Sequence, residues 1–142
     1  MPRLYSLGLE EGFVAGLILG EYPAEVFELA PGDFHYDHLR EVYVAARSLH
    51  ARGLPVDICS LSHALLEAGH ADDVTWNGEE AEEYLIGACH RWGFNAISMY
   101  PLPFGGMIAD YARRRRMMQE AQVLAQAAHG LSWSVYGPAM GG

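Results

Sequence analysis

Residues Phe34 to Leu61, FHYDHLREVYVAARSLHARGLPVDICSL, leave the backbone few choices. Leu39, Val42, Tyr43, Ala46 and Leu49 recur at intervals of three and four, which is one face of a 3.6-residue period. Arg40, Glu41, Arg47 and Arg52 fall between them and make a wet side. Gly53 stands where a helix hands over to a left-handed residue. Pro55 forbids continuation and biases Leu54 to an extended conformation. Asp57 then offers a side-chain oxygen to the free N–H groups of whatever follows. The stretch predicts about four turns of amphipathic helix and a tight exit into a second helix.

The rest of the chain continues in the same style. Met1 to Gly8 reads as a loosely held arm. Leu9 to Gly20 is apolar nearly all round and so predicts a short buried helix. Its glycines, Gly12, Gly16 and Gly20, suit the close approach of another helix. Each costs roughly 1 kcal/mol of helix propensity relative to Ala, which packing must offset. Pro23 fits a first helical position, and Val26, Phe27 and Ala30 predict a short amphipathic helix ending at Pro31-Gly32. Asp57 to Ala68 predicts the next helix, with Ile58, Leu61, Leu65 and Leu66 inward and Gly69 ending it. His70 to Gly78 reads as a polar loop. Glu79 to Trp92 is helical, with Ala81, Tyr84, Leu85, Ala88 and Trp92 as its stripe. Its acids cluster at the N-terminal end and His90 and Arg91 at the C-terminal end, as the helix dipole prefers.

Residues 93–106 are apolar but broken by Pro101, Pro103 and the Gly105-Gly106 pair. A long helix is expected from about Met107 to Ala128. Met107, Ile108 and Tyr111 form its first stripe, and Met117, Ala121, Leu124 and Ala128 a second. Between them stand Arg113 to Arg116. An apolar face interrupted by four arginines predicts that the helix leaves the bundle near residue 113. Leu131 to Gly142 reads as a flexible tail.

At this point the residues carry a likeness. The N-terminal domain of DnaB-type replicative DNA helicases shows, in similar order, a Phe-Tyr pair, a His-Arg pair, an Ile-Phe pair, then Gly-x-Pro-[Ile/Val]-Asp and a Leu. Here Phe34, Arg40, Val42-Tyr43 and the turn residues Gly53, Pro55, Val56 and Asp57 resemble that signature. His35 occupies the Tyr position and Leu39 the His position, with His38 next door. Leu9 to Leu19 resembles the family's opening helix. Ile108 to Ala128 resembles its long later helix, with Tyr-Ala followed by Arg-rich turns.

The resemblance implies an all-α domain: a compact bundle of about five or six helices over residues 1–106, followed over 107–142 by a long projecting helix that is part of a helical hairpin. It implies a non-catalytic protein-interaction role in DNA replication, contributing to ring assembly with other helicase subunits and to docking of the primase C-terminal domain. The docking residues expected on the late helix are Tyr111, Arg114, Arg115, Met118 and Gln122. Phe34, Arg40, Tyr43, Gly53, Pro55 and Asp57 are expected to carry the fold instead. The alternative is a stand-alone adaptor or loader protein, phage-like in organisation, that borrows the same fold.

Composition narrows the choice. All nine basic residues are arginine. A phosphate-binding loop needs Gly-x-x-x-x-Gly-Lys-[Ser/Thr], so no motor site exists in this sequence and no catalytic residue is expected. The formal net charge is −9, which argues against this chain gripping a nucleic-acid backbone by itself. Asp72, Asp73, Glu79, Glu80, Glu82 and Glu83 concentrate the acid; Glu79 to Glu83 read by default as ordinary helix N-terminal charge, with a partner site for a basic protein as the sharper, second reading. No apolar run reaches the ~18 to 20 residues of a membrane helix, and no basic start suggests a secretory leader; a cytoplasmic protein is expected. Cys59 and Cys89 lack a CxxC partner; they could form a single structural disulfide, but read first as free buried core thiols.

Two sharper chemistries compete with the interaction role. Asp33, His35, Asp37 and His38 are metal-ligating side chains near a helix start, but zinc sites want defined ligand geometry, and the same residues serve as caps and surface groups. Trp92, Phe94, Tyr100 and the arginines could stack single-stranded bases. Arg113 to Arg116, however, are spread around a helix axis by about 100° each and cannot face one phosphate track. Neither a metal nor a cofactor is expected.

Overall fold

A computed structural model describes residues 4–20, 22–69, 80–93 and 101–141. Among them every element is helical and no strand occurs. The order is α1 (Leu7–Leu19), two 3-10 turns (Ala24–Glu28 and Pro31–Asp33), α2 (Asp37–Ala51), α3 (Ile58–Glu67), α4 (Ala81–Trp92) and α5 (Pro101–Gly141). The chain forms two compact units, Met1–Ala112 and Arg113–Gly142.

In the first unit α1 packs on α2 and α4, and α3 packs on the same two helices. The core is built around Tyr43, which is fully buried. Its ring stacks on Phe34 with centroids 4.7 Å apart and lies 5.8 Å from that of Phe13. The apolar stripe of α2 (Leu39, Val42, Tyr43, Ala46, Leu49) is buried throughout. So are Leu61 and Leu65 of α3 and Ala81, Tyr84, Leu85 and Ala88 of α4. Leu66 departs from the expectation: it is 57% exposed, because α3 turns one narrow face inward and Leu65 already fills it.

The exit from α2 has the geometry its sequence asks for. Gly53 adopts φ +70°, its N–H bonds the His50 carbonyl, and the Leu54 N–H reaches back to Leu49. Those two bonds satisfy carbonyls that the helix end leaves open. Asp57 then caps α3, its Oδ1 accepting from the Ser60 N–H at 2.7 Å.

Several sequence expectations are corrected. The chain is engaged before Gly8: Ser6 caps α1 through the Leu9 N–H, and Tyr5 stacks on His35 at 4.0 Å. The segment from Ala24 to Asp33 is two 3-10 turns, not one amphipathic helix. Pro23 sits just outside the first turn and Pro31 opens the second. α5 starts at Pro101, six residues before the predicted start at Met107. Both prolines fall in its first turn, where a missing N–H costs no intrahelical bond. The helix continues to Gly141, through the stretch read as a tail. Ile108 and Ala112, one turn apart, are the buried pair, whereas Met107 is 51% exposed.

The expected close approach is real at Gly12. A Cβ there would lie 2.5 Å from the Phe104 ring of α5 and 3.2 Å from Trp92 of α4. The loop at 70–79, including Asp72, Asp73 and Glu79, lies outside the described residues, as do Phe94 and Tyr100.

Candidate functional site

The residues expected to dock a partner all lie on α5. Tyr111, in the first unit, is half-buried. In the second unit Arg114 and Gln122 are exposed, and Arg115 and Met118 half-buried. At about 100° per residue the four positions of the second unit share one face of a helix. The exposed apolar side chains of the second unit lie elsewhere: Met117 is 60%, Val123 63% and Leu124 70% exposed. A hollow of about 470 Å³ is lined by Arg116, Gln119, Glu120, Val123 and Leu124. The same helical arithmetic centres that hollow roughly 150° away from the predicted face. Each of Arg113, Arg114, Arg115 and Arg116 takes part in an interaction, so the arginine run is engaged within the structure.

A second constellation is polar, buried and absent from the sequence expectations. Glu10 and Glu11 of α1 are only 2% and 8% exposed. Glu10 points at the start of α2, where its carboxylate accepts from the backbone N–H groups of His35 and Tyr36, each at 3.1 Å. α2 therefore receives its N-terminal cap from another helix, since no side chain caps it at Tyr36. Arg40 braces the same entry, donating to the Phe34 carbonyl at 2.9 Å and to Asp37 at 2.8 Å.

Glu11 points the other way, at α4. Its Oε2 accepts from the Tyr84 hydroxyl at 2.6 Å, and its Oε1 from Arg91 Nε at 2.8 Å and Trp92 Nε1 at 3.1 Å. Arg91 Nη2 adds a second contact to Oε2 at 3.0 Å. Burial pushes the Glu11 carboxyl up, but the donated bonds from Arg91, Tyr84 and Trp92, with the Arg91 charge, outweigh it and hold the carboxyl below its ordinary value. Tyr84 moves upward, first through burial and then through Glu11, which wants its proton as a hydrogen bond.

His38 Nε2 lies 3.2 Å from the Tyr84 oxygen. The Tyr84 proton is committed to an ionised Glu11, so Nε2 must carry the hydrogen and donate. Burial holds His38 below its ordinary value against the charges of Glu11 and Asp37. The cluster presents no thiol or serine hydroxyl. Its chemistry is to fix helices α1, α2 and α4 in register.

The metal hypothesis loses its ligands to packing. Asp33 caps the 3-10 turn by accepting from the Ala30 N–H. Asp37 pairs with Arg40, His35 stacks on Tyr5 and His38 faces Tyr84. No group of three or more His, Cys, Asp or Glu able to hold a metal occurs among the described residues. Of the two cysteines, both free, Cys89 is buried as expected but Cys59 is exposed. Burial pushes the Cys89 thiol up to about 11. No helix among the described residues is long and apolar enough to cross a membrane.

Sequence reasoning passed over the Glu10–Glu11 pair, which lies inside the segment read as apolar nearly all round. The available signal was position: two acids inside a helix that is otherwise apolar, opposite polar residues spaced seven and eight apart (Tyr84, Arg91, Trp92) on α4.

Comparison with known proteins follows the same lines. The model of the DnaB-like helicase N terminal domain family matches residues 3–87, more than half of the chain. Among solved structures, the crystal structure of the N-terminal domain of DnaB helicase from Mycobacterium tuberculosis superposes with a TM-score of 0.77. It is 20% identical and the match covers 93% of this chain and 90% of that one. At that identity the likeness is one of fold. A search of curated proteins finds no match.

Proposed function

The chain belongs to the DnaB-like helicase N terminal domain family, and on that premise we propose that it is a non-catalytic interaction domain of a replicative DNA helicase, contributing to ring assembly and docking the primase C-terminal domain. The matched portion of the family is a domain without the ATPase. The observation that favours an interaction role is the second unit of the chain. Met117, Val123 and Leu124 stand mostly exposed on a helix whose neighbouring arginines are already engaged. Large apolar side chains grouped on one exposed helix face are the usual mark of a surface awaiting a protein partner.

The reading assigns two jobs to α5. The Met117, Val123 and Leu124 face serves contact between copies of the domain. The face carrying Tyr111, Arg114, Arg115, Met118 and Gln122 meets primase. A calorimetric titration with the primase C-terminal domain from the same source tests this. Binding on the order of micromolar, weakened by Arg115→Glu and by Met118→Ala, is expected. Absence of heat from a folded sample refutes the docking role. Sedimentation of wild type against Leu124→Arg tests self-association separately, with a shift to the smaller species expected for the variant.

A further inference from the structure

Helix α3 carries a line of reactive side chains that the interaction reading does not use. Cys59, His63 and Glu67 follow one another at intervals of four. Each step of four turns the helix by only about 40° beyond a full turn, so the three share one side. Leu61 and Leu65, the buried residues of α3, lie on the opposite side. Cys59 is an exposed free thiol, and the side chains of His63 and Glu67 are 70% and 61% exposed.

The His63 ring is held from one end. Its Nε2 lies 2.9 Å from Glu67 Oε1. A carboxylate only accepts, so Nε2 carries the hydrogen and Nδ1 of the neutral ring keeps its lone pair. The two ring nitrogens point away from one another. Helical side chains lean toward the N-terminal end, which from His63 is the Cys59 side. A carboxylate behind the far nitrogen is what fixes the tautomer and raises the basicity of metal-ligating histidines. Side chains four apart on a helix stand ~5–6 Å apart at Cβ. A cation ~2.3 Å from a thiolate sulfur and ~2.0 Å from an imidazole nitrogen spans that gap. A thiolate beside an imidazole selects a thiophilic cation over magnesium or calcium, which take oxygen. Cys89 does not compete for it, being buried with its thiol pushed up to about 11.

We propose that Cys59 Sγ and His63 Nδ1 bind one thiophilic divalent cation of the zinc group, with Glu67 as the positioning residue behind His63. Two protein ligands are fewer than the three of a catalytic zinc site, so water takes the remaining positions. Binding breaks the Cys59 S–H bond, forms a sulfur–metal bond and releases the proton to solvent. The site uses no residue of α5, so its test and that of primase docking fail separately.

Cadmium ions alone, added to the reduced full chain, are the probe. The readouts are the ultraviolet charge-transfer band of a cadmium–thiolate bond and the chemical shifts of the histidine ring nitrogens. A band that saturates at one ion per chain is expected, with His63 Nδ1 as the nitrogen that shifts. Cys59→Ser abolishes the band. His63→Ala weakens binding by more than about tenfold, and Glu67→Ala by about tenfold. Glu67→Gln, which still accepts from Nε2, recovers part of that loss. Circular dichroism of each variant matches wild type, because the three side chains are exposed. Equal affinity of His63→Ala and wild type marks a thiol adduct only and overturns the proposal. A band that survives Cys59→Ser, a shift centred on another histidine, or no band from a folded sample overturns it as well.

Discussion

Replacing Glu11 by Gln keeps the side chain's shape and removes its charge. In the structure that carboxylate is 8% exposed and receives four donor contacts, from Tyr84, Arg91 twice and Trp92. An amide offers one oxygen, so two of those contacts must face an N–H₂ group that cannot accept. Hydrogen bonds to charged groups contribute roughly 1.5–3 kcal/mol each, and a stranded buried donor costs ~1–3 kcal/mol. The Arg91 side chain is 52% exposed, so water takes up most of what it loses and its share is small. Tyr84 finds little water, being only 5% exposed, and keeps His38 Nε2 at 3.2 Å as a neighbour that limits the loss. The expected loss is therefore about 2 kcal/mol, most of it through Tyr84. Urea unfolding followed by far- and near-ultraviolet circular dichroism measures it, and a cycle with Tyr84→Phe isolates the pair. A coupling of about 1 kcal/mol or more between the two changes is expected. The pH dependence gives an independent check. Because the folded carboxyl titrates below its ordinary value, its contribution is fully present above the unfolded value of about 4.3 and is lost as pH falls through the lower, folded value. The Gln variant should lack that acid limb. A loss under ~0.5 kcal/mol, additive with Tyr84→Phe, would refute the view that this cluster holds α4 to α1.

Other perturbations read different parts of the fold. Gly12→Ala drives a methyl to 2.5 Å from Phe104; a loss of about 1–3 kcal/mol is expected from the overpacking, read as a lower melting temperature. Tyr43→Phe deletes the 2.6 Å bond from its hydroxyl to the Leu29 carbonyl and should cost about 1–2 kcal/mol with an unchanged denaturant slope. Asp57→Ala removes the α3 cap and should cost about 1 kcal/mol, whereas Asp57→Asn should recover most of it in the same unfolding assay. In native protein at neutral pH a thiol-disulfide reagent should titrate Cys59 promptly and Cys89 only on unfolding, since Cys89 is buried with its thiol pushed up to about 11; two fast thiols would contradict the packing of α4.

Local physics made much of this protein readable in order. The stripe of α2, the left-handed Gly53, the extended residues around Pro55 and the Asp57 cap are each decided by neighbours within five positions. They are decided the same way in any fold that contains them, which is why they also carried the family likeness. The helices α3 and α4 were legible for the same reason. What lay beyond reach was set by partners distant in the chain. Glu11 looks like solvated charge until α4, some 80 residues later, arrives with Tyr84, Arg91 and Trp92. Glu10 caps a helix whose entry residues, His35 and Tyr36, lie 25 and 26 positions away. Leu66 and Met107 look inward by periodicity, but Leu65 and Ile108 take the space. Sequence determined the turn from α2 into α3, because its signals act within a turn or two. Tertiary structure decided which polar groups are buried and which apolar ones are left in the open, because burial is a property of what comes to lie alongside.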